Sequence, residues 1–223
     1  MILHDVKNTK LGVDALYSAY FQARGLVMEG IKRAVLDAIV RDLYDQRIMG
    51  NLARPHYVER LIHHILGPPW ELVSHDWAGW DLENPQLVRV EVKQSAARQT
   101  WTDLPSSGGR PTRGMFDIAP RKGYYTRGSG AWVDAPGRNA DIYLFAWHPV
   151  HDPAVADHRI PDQWEVYVVP EHRLPTKRSI SQSELTRDHI PVSMSELPSA
   201  LSSCIAALPS LKVATQRPAD AER

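Results

Sequence analysis

The stretch Ala140-Asp141-Ile142-Tyr143-Leu144-Phe145-Ala146-Trp147 constrains the fold of this chain more than any other. It is a nearly continuous apolar run, far short of a membrane span. A strand with apolar side chains on both faces must be covered on both faces, so the run predicts a central strand with a layer above and below it. Other segments read as its strand neighbours. Gln86 to Lys93 alternates cleanly, with Val88, Val90 and Val92 on one face and Leu87, Arg89, Glu91 and Lys93 on the other. Residues 163–169 alternate in the same way. Trp70 to Trp77 predicts a further strand, Ala78-Gly79 a turn, and Asp81-Leu82-Glu83 the start of a partner strand that Asn84-Pro85 folds back.

The rest of the chain supplies helices and loops. Residues 11–48 have helical periodicity, with Ile31, Val35, Ile39 and Leu43 four apart. Glycines at 12, 25 and 30 predict two helices with a break near Gly25–Gly30, the second ending at Gly50-Asn51. A short helix follows Pro55, and Gly67-Pro68-Pro69 stops it. Short helical pieces follow around 181–187 and 194–207. Residues 98–138 hold 7 of the 13 glycines and 4 prolines and predict a long irregular insertion. The expected organisation is an N-terminal helical extension over 1–50, an α/β domain over 51–210 and a frayed tail over 211–223.

Composition removes several classes. A hydrophobic fraction of 43% is too high for a disordered chain, and 26 basic against 26 acidic residues exclude a polybasic tail protein. The single cysteine, Cys204, excludes an internal disulfide and a cysteine zinc site. No segment has the length of a membrane span, and the first residues lack the layout of a secretory signal, so the expected location is cytoplasmic.

The chemistry concentrates in Asp81, Glu91 and Lys93. An acid two residues before a lysine arises roughly once in a chain of this composition. It occurs here twice, and only Glu91-Val92-Lys93 lies on a strand pattern. Glu91 and Lys93 are two apart opposite a valine face, so both project from the same face. The turn at Asn84-Pro85 brings Asp81 alongside, since facing side chains of an antiparallel pair stand about 5 Å apart. Two carboxylates and a backbone carbonyl suit a hard divalent cation such as Mg²⁺, with Mn²⁺ as a substitute. A lysine beside it can orient or deprotonate an attacking water, or neutralise charge on a phosphate. Asp76 and Glu83 are weaker candidates for the place of Asp81.

The order helix, strand, Asp, strand with Glu-x-Lys, further strands resembles the PD-(D/E)xK nuclease superfamily, over roughly residues 55–170. The resemblance implies a restriction endonuclease-like mixed β-sheet flanked by helices, Mg²⁺-dependent phosphodiester hydrolysis and often a homodimer. It also implies Asp81 and Glu91 as metal ligands and Lys93 as the catalytic lysine. Gln94 follows the lysine and leans toward the substrate in this reading. Glu59 takes the place of a glutamate that many members carry on the preceding helix; the alternative for Glu59 is a solvated pair with His63. Trp80 stands where the family signature has proline.

The 98–138 insertion carries seven basic residues against three acidic ones, with Trp101, Phe116, Tyr124, Tyr125 and Trp132 interleaved. Basic residues contact phosphates and aromatic faces stack on bases, so Arg98, Arg110, Arg113, Arg121, Lys122 and Arg127 are the expected nucleic-acid contacts. The alternative is an ordered flap pinned by its aromatics. His56, His63, His64 and His75 lack the spacing of a helical metal site and read as surface histidines. Asp141 reads as a strand-start cap. Together these features point to a metal-dependent DNA endonuclease, plausibly of restriction or defence type and homodimeric through 11–48. The alternatives are a non-catalytic nucleic-acid-binding protein on the same fold, or a homo-oligomeric interaction protein.

Overall fold

The computed structural model describes residues 7–73, 78–126 and 130–209. The chain divides into two compact units, Met1–Gln46 and Arg47–Arg223. The first is a single helix, α1 (Lys7–Tyr44). The expected break near Gly25–Gly30 does not occur. An interior glycine costs a helix only about 1 kcal/mol against alanine, and the good helix formers around these two outweigh it. Among the described residues no helix is long and apolar enough to cross a membrane.

The second unit is a mixed α/β layer structure. Its sheet has six strands in the order β1 (Glu71–Leu72), β2 (Leu82–Glu83), β3 (Arg89–Ala96), β7 (Ile142–His148), β8 (Glu165–Pro170) and β10 (Val192–Ser193). Only β3 and β7 run parallel; every other pairing in it is antiparallel. The 140–147 run forms β7, and all seven residues of that strand are buried. Its alternation is hidden in the sequence because both faces are apolar. Ile142, Leu144 and Ala146 join one core with Val90, Val92, Val166 and Met194. Tyr143, Phe145 and Trp147 join another with Phe116, Tyr167 and Ile180. Each fully buried side chain of this size contributes about 1.5–3 kcal/mol relative to exposure.

Helices cover the first face. In α2 (Ala53–Leu66), Val58 and Ile62 are fully buried one turn apart. The Gly50 carbonyl accepts from the N–H groups of Ala53 and Arg54 at 3.1 and 2.9 Å, which starts the helix. Gly67 ends it with an N–H bond to the His63 carbonyl at 2.9 Å. From the C-terminal side, α4 (Leu197–Ala206) adds Leu197 and Leu201.

The 98–138 segment covers the second face, and it is not the irregular insertion its glycines and prolines predict. It contains β4 (Met115–Asp117), β5 (Arg121–Tyr125) and β6 (Trp132–Gly137). The last two pair as a hairpin, and β4 pairs with β9 (Ser179–Ser181), which leads into α3 (Gln182–Asp188). Phe116 packs edge-on against Phe145 at 5.2 Å, which pins the segment to the central strand. Two of its glycines, Gly114 and Gly123, serve close approach. At Gly123 a Cβ would lie 2.0 Å from the Val133 carbonyl oxygen. Of the predicted strand 70–77 only Glu71–Leu72 pairs, and residues 74–77 lie outside the described residues, as does the tail 211–223.

His148, His158 and Trp164 form a buried aromatic cluster, the two imidazoles crossing at 4.8 Å. His158 is held neutral. Its Nδ1 accepts from the Met49 N–H at 3.0 Å and its Nε2 donates to the Arg98 carbonyl at 3.2 Å. A proton on Nδ1 would face the Met49 N–H. Burial, with His148 and Arg54 nearby, pushes the His158 pKa down to about 3, and burial lowers that of His148 too. The unfolded chain therefore binds more protons than the folded one between about pH 6.5 and 3, and stability falls as pH drops through that window. Urea unfolding of the parent and of His158→Gln should diverge below pH 6.5. The parent should lose up to about 1.4 kcal/mol more per pH unit. Parallel pH profiles for the two proteins would contradict this assignment.

Candidate functional site

The turn after β2 sets the geometry. Asn84 Oδ1 accepts from the N–H groups of Gln86 and Val88 at 3.1 and 2.9 Å, and its carbonyl accepts from Leu87 N–H at 2.8 Å. Leu87 takes a φ of +60°, an uncommon conformation for leucine that the turn enforces. The hairpin then pairs Leu82 with Val90 and Glu83 with Arg89. One step further along, the Asp81 N–H donates to the Val90 carbonyl at 2.9 Å, and Asp81 Oδ2 accepts from Val92 N–H at 2.7 Å. Asp81 is thus tied by both backbone and side chain to the strand bearing Glu91 and Lys93.

The three side chains share one charged environment. Lys93 Nζ donates to Glu91 Oε1 in a direct ion pair. Burial pushes the Asp81 carboxyl well above the usual carboxylate range, and the charges of Glu91 and Glu59 add to this; the Val92 N–H and Lys93 only partly offset it. Burial alone would lower the Lys93 pKa, but Glu91 and Asp81 outweigh it and the net shift is upward. The ammonium is therefore charged at neutral pH. Glu59, on α2, is only 14% exposed and stands 4.0 Å from His56 Nδ1. His63, one turn further along α2, has its Nε2 3.1 Å from the Trp70 carbonyl oxygen.

Gln94 does not join this group. The alternation of β3 turns it to the α2 face, where its Oε1 accepts from Arg54 Nε at 2.5 Å. Arg54 also donates to Gln99 Oε1 and, at 2.5 Å, to Asn51 Oδ1. Its guanidinium is buried among these amide oxygens, and burial lowers its pKa to about 10. This network locks the start of α2, and with it Glu59, to β3. Asp141 caps the head of β7: its Oδ2 accepts from Arg89 N–H at 2.8 Å. Glu83 pairs with Arg89 at 3.2 Å. Asp76, His75 and Arg127 lie outside the described residues.

Trp80, directly before Asp81, has a structural use. The Arg89 guanidinium lies 3.6 Å above its ring, and Tyr124 of β5 meets it edge-on at 4.9 Å. At Gly79 a Cβ would come 3.0 Å from the Tyr124 side chain, so the small residue lets the hairpin close down on β3. The result is a cavity of about 400 Å³ above Glu91 and Lys93, walled by Arg121, Lys122 and Trp132. Tyr143 completes its floor and is the residue sequence reasoning missed. It sits beside Glu91 in the β3–β7 ladder, and burial with the Glu91 charge raises its pKa, so it remains a phenol. The signal was its place in the apolar run, which concealed which face it takes.

The expected nucleic-acid contacts divide. Arg121 and Lys122 line the cavity and are exposed. Arg110 and Arg113 are exposed elsewhere on the segment. Arg98 is buried, with its guanidinium on Asp103 and the His151 carbonyl. Arg138, also in the cavity wall, is spent on the carbonyls of Ile118, Pro175 and Lys177.

Among the described residues no group of three or more His, Cys, Asp or Glu side chains is gathered as a metal cluster. The donor chemistry of Asp81 and Glu91 nonetheless suits a hard cation: the buried Asp81 carboxyl, its proton affinity raised by burial and by its acidic neighbours, can exchange that proton for a divalent ion. No protein-family model matches the chain, and no curated protein matches it in sequence.

Proposed function

We propose that the chain is a metal-dependent DNA endonuclease of restriction or defence type, built on a restriction endonuclease-like fold. One observation carries the reading: Asp81, Glu91 and Lys93 meet on one hairpin, with Asp81 pushed toward protonation by burial and by its acidic neighbours. The order α2, hairpin, parallel β3–β7 pair supports the fold assignment. Asp81 and Glu91 would hold Mg²⁺ or Mn²⁺, which supplies Lewis-acid polarisation and a more acidic water.

The chain's own groups have distinct tasks. Lys93 brings a positive charge to the scissile phosphate, where negative charge builds as water attacks phosphorus. One P–O bond forms and one breaks; the attacking water loses a proton and the departing oxygen gains one. Glu59 adds a third carboxylate within electrostatic range of Asp81. The closed Lys93–Glu91 ion pair favours a second reading, a non-catalytic nucleic-acid binder that retains DNA without cutting it.

Plasmid DNA should be cut in the presence of Mg²⁺ or Mn²⁺ and left intact with EDTA. In single-turnover cleavage Lys93→Ala should be slower by on the order of 10²-fold or more, the scale for removing a positioned catalytic group, with DNA binding kept. Cleavage by Lys93→Ala at the parent rate sinks the assignment of this strand. DNA binding without any metal-dependent cutting by the parent establishes the second reading instead.

The partner of α1 is proposed to be a second copy. Val27, Ile31, Val35, Ile39 and Leu43 recur every four residues and are 36–61% exposed, a wide apolar stripe on one helix. Light scattering should give a dimer that Val35→Asp combined with Ile39→Asp converts to a monomer. A parent that is monomeric at every concentration contradicts this.

A further inference from the structure

We propose that the cavity above Glu91 and Lys93 receives one unpaired nucleotide, so that the preferred nucleic acid is single-stranded or frayed at the reacting position rather than an intact duplex. This rests on the nuclease reading of the site and narrows its substrate. The site is deep. The Glu91 and Lys93 side chains are only 16% and 21% exposed, recessed beneath the β5–β6 hairpin. A phosphate must descend to them.

The cavity is also small. Its volume of about 400 Å³ is on the scale of a site for one small ligand, about 300–1,000 Å³. A base held in the stack of a paired duplex cannot reach into such a recess. One nucleotide leaving the stack can, as it does in enzymes that act on extruded bases.

The wall carries matching chemistry. Arg121 and Lys122 line the cavity and are exposed; Arg121 is paired with Asp117 Oδ2 at 3.2 Å, and Lys122 offers its charge to a phosphate. Trp132 also lines it and is 48% exposed. Its indole is braced edge-on by Tyr125 at 5.1 Å and lies so close over Gly123 that a Cβ there would come within 2.8 Å of the ring. A half-exposed indole held from one side is a platform for a base, and stacking of this kind tolerates any base. Basic side chains for a phosphate, a stacking surface, Glu91 and Lys93 therefore surround a volume suited to one nucleotide.

The test is fluorescence anisotropy in EDTA, where nothing is cut. The probes are a labelled single strand of about 12 nucleotides without self-complementarity, within the range of single-strand sites, and the blunt duplex of the same strand. The parent should bind the single strand at least about tenfold tighter. Trp132→Ala should lose about tenfold of that affinity, and Trp132→Phe, which keeps an aromatic face, should retain most of it. Equal or tighter binding of the duplex, no binding of either probe, or a Trp132→Ala variant that binds the single strand like the parent overturns the proposal. Cleavage of both probes with Mg²⁺ separates the two claims. Duplex cutting without a single-strand preference removes the cavity proposal and leaves the nuclease reading. A single-strand preference without any cutting does the reverse.

Discussion

The parallel pairing of β3 with β7 is the constraint from which the rest of the second unit follows. Parallel neighbours cannot be joined by a tight turn; the chain must leave one end of the sheet and return to the other. Here that crossover spans residues 97–141, and it contains no α-helix among its described residues. It folds as β4 and the β5–β6 hairpin, and its aromatics Phe116 and Tyr124 enter the second core. The same crossover therefore covers the sheet face opposite α2 and builds a wall over Glu91 and Lys93. Fold and site share one structural cause.

That dependence explains the unusual residues near the site. Gly79 and Gly123 sit where backbone meets side chain or carbonyl too closely for a Cβ. Trp80 fills the gap between β3 and the hairpin, held by Arg89 from one direction and Tyr124 from another. A cation over an indole contributes about 0.5–2 kcal/mol, depending on how dry the contact is. Arg54 does a parallel job on the opposite face, tying α2 to β3 through Gln94. The acidic group is thus supported from both layers of the structure.

Much of this was legible in the sequence, because it depends on period. The valine alternation of β3 fixed which face Glu91 and Lys93 share, and Asn84-Pro85 fixed the hairpin that returns Asp81. The apolar run of β7 announced a central strand. What escaped was anything that depends on tertiary contact. Glycines in 98–138 and at positions 25 and 30 looked like loop and break, yet Gly114 and Gly123 serve close packing and Gly25 and Gly30 lie inside an unbroken helix. Gln94 follows Lys93 in sequence but alternation turns it to the other side. Arg98 counts as a free charge in composition and is buried on Asp103. Tyr143 reads as core in the sequence, and only the β3–β7 register places it against Glu91.

The electrostatics of Asp81 tie the account together. Its carboxyl is pushed toward protonation by burial and by Glu91 and Glu59, while its Oδ2 is fixed by the Val92 N–H. Such a group gains most from a divalent cation, which replaces a proton as the neutralising charge. Calorimetric titration of Mn²⁺ into the parent and into Asp81→Asn, which keeps an acceptor for Val92, reads this directly. The expected result is saturable binding by the parent with proton release that grows as pH is lowered, and loss of that binding in Asp81→Asn. A parent that binds no Mn²⁺, or an Asp81→Asn variant that binds it equally well, would contradict the claim that these carboxylates form a cation-dependent centre.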